Sequence, residues 1–486
     1  MNFIAREAEL KILDKQYNSK SSSFVAVYGR RRVGKTELID YFIQTKNCPS
    51  FRVTGAYDTT LKSHLDNFAN KLSLTFGCEK YDFDSWDEAF FLLQKNILSV
   101  KLQDDCKFTI FIDELPWLAQ MKNNGFKSAL SLFWNDFASK RDDIFLVVCG
   151  SATSWIINHI IEDSGSLANR VTGIIHLNAF NLKETKLFLL NLGHKGLSNK
   201  TVVDYFMVLG GVAHYLKLLD PKNSFVQNIQ LLFFTQNGVL RTEYNHLFRS
   251  LFKNHKVHET IVKYLSTSWS GLRMVELGAK KDLQVGAVLS GALRELEESG
   301  FLVKRFKYGQ SKRDTLYSLC DPFIYFFTKW VNDTALISLQ QNPFYFQKIF
   351  KSQSYKSWSG FAFENICHSH ILQIKYALSI GGVITSSHYW SQPTKEKEKQ
   401  VAQIDILLKR DDDVINIIEC KYHNQEFTID KKYAKELQNK EIVFQESTNY
   451  KGSINIVMLT IEGVTHNEYY DEIVTSDITI DALFTN

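Results

Sequence analysis

Nowhere in these 486 residues do about 18 apolar residues run together, so no segment reads as a membrane-spanning helix and no membrane partner is expected. The opening stretch, Met1-Asn2-Phe3-Ile4-Ala5-Arg6-Glu7, lacks the basic-then-apolar pattern of a secretory signal. Paired cysteine motifs are absent too. Cys48, Cys78, Cys106, Cys149, Cys320, Cys367 and Cys420 stand singly, with no CxxC and no histidine at ligand spacing. That pattern excludes a local zinc site and predicts reduced, mostly buried thiols in a cytoplasmic protein. Strong charge is also missing, since the net is +4. Its distribution is uneven. Residues 331–486 carry 15 Lys plus Arg against 20 Asp plus Glu, a net of −5, and the first 330 residues carry 42 against 33, or +9. Affinity for nucleic acid is therefore expected upstream of the tail. Hydrophobic residues make up 44% and charged residues 23%, an ordinary globular balance, and the length calls for two to four domains.

What is present begins with the apolar run Phe24-Val25-Ala26-Val27-Tyr28. It leads into Gly29-Arg30-Arg31-Arg32-Val33-Gly34-Lys35-Thr36 and then a helical pattern from Glu37 to Phe42. Strand, glycine loop and helix are the context that a P-loop requires. Gly29 and Gly34 let the backbone curl so that its N–H groups face phosphate oxygens, and the helix N-terminus adds its dipole. Lys35 is placed for the β- and γ-phosphates of ATP, and Thr36 for Mg²⁺.

A second strand, Phe108 to Ile112, ends in Asp113 and Glu114. Asp113 is expected to hold Mg²⁺ through water, and Glu114 to orient or deprotonate the attacking water, so hydrolysis is expected as well as binding. A third strand, from Ile144, ends at Cys149-Gly150-Ser151. Either Ser151 or Thr153 senses the γ-phosphate, or the Ser-Ala-Thr-Ser segment caps a helix. Strands alternating with helices over residues 24–180 imply a parallel α/β sheet with nucleotide at the strand C-termini.

These segments resemble the archaeal-type ATPases of the STAND/AAA+ class. The resemblance is carried by Phe3-Ile4-Ala5-Arg6-Glu7, the glycine loop, Phe111-Ile112-Asp113-Glu114-Leu115-Pro116-Trp117, Cys149-Gly150-Ser151 and Arg170-Val171-Thr172-Gly173. It implies that Arg6 lies on the adenine side. It also implies that Arg170 faces the phosphates, in cis or across the interface of a homo-oligomer, or else is an exposed structural residue. The Gly-Gly-x-Pro of the family's helical lid reads Gly210-Gly211-Val212-Ala213 here, and the missing proline alters the detailed lid contact.

Residues 181–255 read as that lid. Over residues 256–330, three helical segments (259–265, 274–280, 285–299) precede two β-like segments (301–306, 315–319), a winged-helix pattern. The third helix sets Arg294 against Glu295, Glu297 and Glu298, which repels phosphate. The hairpin offers Lys304, Arg305, Lys307, Lys312 and Arg313 to a DNA backbone. A packing or relay module and a DNA-contacting wing are both open.

Residues 331–486 resemble the domain of unknown function that ends many such ATPases, which looks like a PD-(D/E)xK nuclease fold. Asp405 lies on a strand before the Arg410–Asp413 turn, and Glu419-Cys420-Lys421 on the strand after it. Alternation puts Glu419 and Lys421 on one face. Glu364, on a preceding helical stretch, is the extra acid of this fold. The resemblance implies that Glu364, Asp405 and Glu419 hold Mg²⁺ or Mn²⁺ while Lys421 activates water at a phosphodiester. The Lys395–Lys399 run alternates in charge and reads as a solvated loop. The expected whole is an α/β protein: a P-loop NTPase core, helical lid, winged helix-turn-helix and restriction-endonuclease-like domain. It is either an ATPase governing a nuclease-like domain on DNA or a non-nucleolytic ATP-dependent switch that binds a protein.

Overall fold

A computed structural model describes residues 3–485 except 120–123, 163–164, 166, 253, 311–313, 336–338, 340–341 and 394–399. The chain forms two compact units, Met1–Ala179 and Phe180–Asn486. Lys312, Arg313 and the Lys395–Lys399 run lie outside the described residues.

The first unit is built on strands β1 (Ser23–Tyr28), β2 (Ser50–Thr54), β3 (Phe108–Asp113), β4 (Ile144–Gly150) and β5 (Gly173–His176). They lie in the order β2-β3-β4-β1-β5, all parallel. Parallel strands need helical crossovers, and helices on both faces demand strands that are apolar throughout. Both β3 and β4 are buried along their full length. Phe24, Ala26, Ile110 and Leu146 pack on one face with the helices Leu61–Phe76 and Trp86–Ser99. Val25, Val27, Phe111 and Val147 pack on the other with Glu7–Tyr17 and Lys35–Lys46.

This unit corrects one expectation. Cys48 and Cys106 are joined as a disulfide across 58 residues of sequence, with Cα atoms 5.7 Å apart. Cys48 follows the helix of the glycine loop and precedes β2, and Cys106 precedes β3. The parallel pairing of β2 with β3 brings the two entry loops together, a proximity that spacing alone does not carry. The other five cysteines stand outside any disulfide.

The second unit opens with helices Leu182–Asn191, Asn199–Leu209, Ala213–Leu216, Phe225–Phe233 and Glu243–Leu251. Next come helix His255–Leu265, β6 (Leu272–Arg273), helices Met274–Gly278 and Ala287–Glu298, then β7 (Leu302–Arg305) and β8 (Leu316–Leu319). These three strands form an antiparallel sheet in the order β6-β8-β7. Helices Pro322–Phe326 and Gln353–Ser369 lead to β9 (Thr385–Pro393), β10 (Gln400–Arg410), β11 (Val414–Lys421), β12 (Phe427–Thr428), β13 (Ser453–Thr460), β14 (Val464–Thr465) and β15 (Ser476–Thr479). The larger sheet runs β15-β13-β11-β10-β9, antiparallel across β9-β10-β11 and parallel across β11-β13-β15. Helix Lys431–Thr448 covers one face through Leu437 and Phe444.

The chain leaving β7 joins this sheet. Tyr389 N donates to Phe306 O, and Tyr308 N donates to Tyr389 O, both at 3.0 Å. The Tyr308 ring packs against Phe444.

Candidate nucleotide site and a buried acid–lysine cluster

The glycine loop links β1 to helix Lys35–Lys46. Gly29 takes a φ of 146°, and a Cβ there would meet Leu177 O at 2.2 Å, so only glycine fits. Gly34, at φ 98°, begins the helix. Lys35 is buried, and its ammonium donates to Gly29 O and Arg30 O at 2.9 Å each, curled inside the loop. Arg30 and Val33 are buried, while Arg31 and Arg32 are half-buried.

Thr36 Oγ1 donates to Asp113 Oδ2 at 3.0 Å, so the two candidate Mg²⁺ ligands already meet. Asp113 Oδ1 accepts from Glu114 N at 2.9 Å. Glu114 turns with φ 47°, and its carboxylate accepts from Ser151 Oγ at 2.9 and 3.1 Å. The following helix is capped at Ala152 without a side-chain bond, so Ser151 faces the acid and does not cap the helix.

Arg6 and Arg170 occupy unlike places. Arg6 is buried, and Nη2 donates to Asn178 O at 2.7 Å and Val33 O at 3.3 Å, bracing the loop backbone. Arg170 is exposed. Two residues on, Thr172 bonds to Phe24, near the start of β1, whereas the glycine loop leaves the end of β1. The register thus sets Arg170 toward the opposite end of the sheet from Gly29.

Sequence reasoning missed Arg52. From edge strand β2, its Nη1 donates to Asp40 at 2.6 and 2.7 Å, and its Nη2 to Asp113 Oδ2 at 3.2 Å. An arginine two residues before a strand end carries no local signal. Its role appears only when β2 pairs with β3.

In the second unit, Glu364, Asp405, Glu419 and Lys421 do gather. Ile406 pairs with Ile418, which sets Asp405 beside Glu419, and Cys420 N donates to Asp405 Oδ2 at 2.9 Å. A bulge in the β9–β10 ladder falls between Ile404 and Leu407, at Asp405. Burial and the neighbouring Glu419 raise the Asp405 pKa to about 6. Burial, then Asp405, raises that of Glu364 to about 8.

The cations around them were not legible. Glu419 has no exposed surface, and Lys440 Nζ donates to its two oxygens at 2.6 and 2.7 Å. Tyr433 OH adds a bond at 3.2 Å, and Lys421 stands at 3.6 Å. Glu364 faces Arg305 at 3.8 Å and His368 at 3.9 Å, and accepts from Trp269 Nε1 at 3.3 Å. Burial holds the His368 pKa down at about 3. Among the described residues, no three His, Cys, Asp or Glu side chains are arranged to hold a metal ion.

The hairpin differs from the expected basic wing. Arg305 turns inward to Glu364 and to Asn365 Oδ1, the latter at 2.5 Å. Lys304 pairs with Glu297 at 2.5 Å, and Arg294 lies 3.9 Å from Glu298. No helix among the described residues is long and apolar enough to cross a membrane.

Residues 3–219 match a family described as an ATPase domain predominantly from Archaea, and residues 327–437 match archaeal and bacterial proteins of unknown function. An uncharacterized protein of Methanocaldococcus jannaschii is 25% identical over 378 residues, covering 76% of this chain and 78% of that protein. An uncharacterized ATP-binding protein of the same organism is 28% identical over 188 residues, covering 34% of this chain and 54% of that protein. Among solved structures, the Walker-type ATPase of Pyrococcus abyssi aligns with TM-score 0.47 and 16% identity, over 67% of this chain and 96% of that one. The Aeropyrum pernix ORC2 protein aligns with TM-score 0.44 and 12% identity, over 72% and 97%. Scores this low carry no function across. The family match and the loop geometry together make the N-terminal region an ATPase domain.

Proposed function

We propose that the chain is an ATP-driven switch in which Mg²⁺-dependent hydrolysis in the first unit governs the state of the second. The observation that carries the ATPase chemistry is the convergence of Lys35, Thr36, Asp113 and Glu114 on one glycine loop. Phosphate oxygens replace the carbonyls of Gly29 and Arg30 as acceptors for Lys35. The Thr36 hydroxyl and the Asp113 carboxylate suit Mg²⁺, which when bound neutralises charge on the β- and γ-phosphates. Glu114 takes the proton of the attacking water. Ser151 holds its carboxylate until the γ-phosphate draws the serine hydroxyl away. Arg6 keeps the loop in register with the adenine side. Arg170, being remote from Gly29 in its own chain, is suited to a neighbouring subunit's site in a homo-oligomer. In Lys35→Ala, ATP turnover should vanish; undiminished turnover would overturn this assignment.

Within the second unit, the antiparallel β6-β8-β7 sheet and its three helices support a winged-helix reading, used for packing. The wing's backbone pairs with β9, and its cations are engaged by acids. DNA contact through this wing is the lesser alternative.

The mixed sheet with Glu364, Asp405, Glu419 and Lys421 supports a restriction-endonuclease-like reading, but the side chains do not suit a metal. Glu419 is compensated by Lys440, and Glu364, its pKa raised to about 8, keeps its proton beside Arg305, so neither offers a free carboxylate to a divalent cation. The cluster reads as a charge-compensated core that a partner protein senses. A relay reaches it: Tyr422, next to Lys421, donates to Asp204 on helix Asn199–Leu209, and Lys200 Nζ lies 3.2 Å from the Tyr422 hydroxyl. A cleavage assay on single- and double-stranded DNA and RNA, with ATP and Mg²⁺ or Mn²⁺, should detect no product. Cleavage lost in Asp405→Ala would restore the nuclease reading.

A further inference from the structure

A cavity of about 510 Å³ opens in the second unit between the end of helix His255–Leu265, helix Pro322–Phe326 with the turn after it, and helix Gln353–Ser369. Its walls are aromatic. Trp269 and Phe361 lie with ring centroids 4.5 Å apart, Trp269 and Tyr325 4.8 Å apart, and Tyr325 stacks on Trp358 at 5.8 Å. Phe361 is 41% exposed, so part of its ring is open to solvent. Trp358 is 3% exposed, and its Nε1 has no hydrogen-bond partner among the described residues.

The remaining lining is rich in hydroxyls, Thr328 among them, with a single cation, Lys329, offset by Asp333. That balance does not select a polyanion. It suits a flat, neutral ring with several acceptors and donors on its edge, and the volume lies within the range of small-molecule sites. We infer that this cavity binds the ring of a nucleobase, stacked on the exposed ring of Phe361 beside Trp269, with its polar edge toward the hydroxyls of the lining. Base–aromatic stacking is tolerant of base identity, and modest selectivity among bases follows. The ring comes from a free nucleoside or from a base splayed out of a single strand; the recognition chemistry is shared. The inference does not depend on cleavage by the acid–lysine cluster. Trp269 nevertheless joins the two, because its Nε1 donates to Glu364.

The test is equilibrium dialysis of the full chain against adenosine, guanosine, cytidine and uridine, which lack the phosphates that the glycine loop grips. A second arm uses single strands about ten nucleotides long. Nucleoside binding that Trp269→Ala or Phe361→Ala weakens about tenfold, and that Lys35→Ala leaves intact, supports the free-nucleoside source. Binding of strands alone, with the same response to the variants, supports the polymer source. If Trp269→Ala fails to fold, Phe361→Ala at the exposed ring decides. Three outcomes overturn the inference: no binding at millimolar nucleoside and no strand binding, binding indifferent to Phe361→Ala, or binding abolished by Lys35→Ala.

Discussion

Replacing Lys440 by methionine isolates the energetics of the buried cluster. The substitution keeps the aliphatic stem and removes the cation lying 2.6 and 2.7 Å from the oxygens of the fully buried Glu419. Breaking a buried ion pair from one side costs about 3–5 kcal/mol, mostly because the abandoned charge remains desolvated. Lys421 at 3.6 Å and the Tyr433 hydroxyl at 3.2 Å remain, which sets the expected loss at the low end, about 3 kcal/mol. With two units in one chain, a single global midpoint would blur that loss, so a local readout is preferable. Hydrogen exchange over β11 and helix Lys431–Thr448 should accelerate roughly 100-fold. Adding Glu419→Gln removes the orphaned charge and should restore most of the protection. Manganese should protect Lys440→Met and leave the wild type unchanged, because only the variant has an uncompensated acid pair to offer. A loss below about 0.5 kcal/mol, or a double variant no better than the single one, would refute the claim that Lys440 is the counterion of Glu419.

Three further outcomes are expected. Glu114→Gln should retain ATP affinity and lower turnover by about 10²–10⁴-fold, measured by phosphate release and nucleotide titration, as the loss of a general base demands. Arg52→Ala removes a positive charge beside Asp113 and frees Asp40. Both changes favour Mg²⁺, and with Arg52 partly exposed the gain is discounted to about 1 kcal/mol, a roughly fivefold lower Mg²⁺ requirement in steady-state turnover. Glu364 holds its proton up to about pH 8 in the fold, against 4.5 as the ordinary value, and Asp405 up to about 6 against 3.8. These two carboxyls add bound protons to the folded chain, whereas the adjacent His368, held at about 3 against 6.5, binds fewer there and offsets them below about pH 6.5. Stability of the second unit should therefore fall chiefly as pH rises from about 6.5 to 8, and Glu364→Gln should flatten that slope in urea titrations at each pH.

The glycine loop, the Asp113-Glu114 strand end and the Glu419-x-Lys421 strand were legible because each is a contiguous segment whose chemistry and secondary structure share one stretch of sequence. Glu364 and Asp405 were reached through the resemblance to a nuclease-like fold, with no local pattern of their own to mark them. The counterions were not. Lys440 comes from the next helix, Arg305 from a hairpin that reads as basic surface, and Arg52 from an edge strand. Each is recruited by tertiary packing to a charge that the sequence cannot show to be buried. The disulfide between Cys48 and Cys106 escaped for the same reason, since two unremarkable loops meet only after β2 and β3 pair.

The pairing of Phe306–Tyr308 with Tyr389 has a practical reach. Strand β9 is the last strand of its sheet, and an unprotected outer strand invites other chains to extend it. The chain leaving β7 supplies the missing neighbour, so residues that read as the tail of one module act as the hem of the next. A fragment beginning at residue 331, where the sequence suggests a boundary, would fray at β9 and assemble through it. One beginning before β7 would keep its border closed.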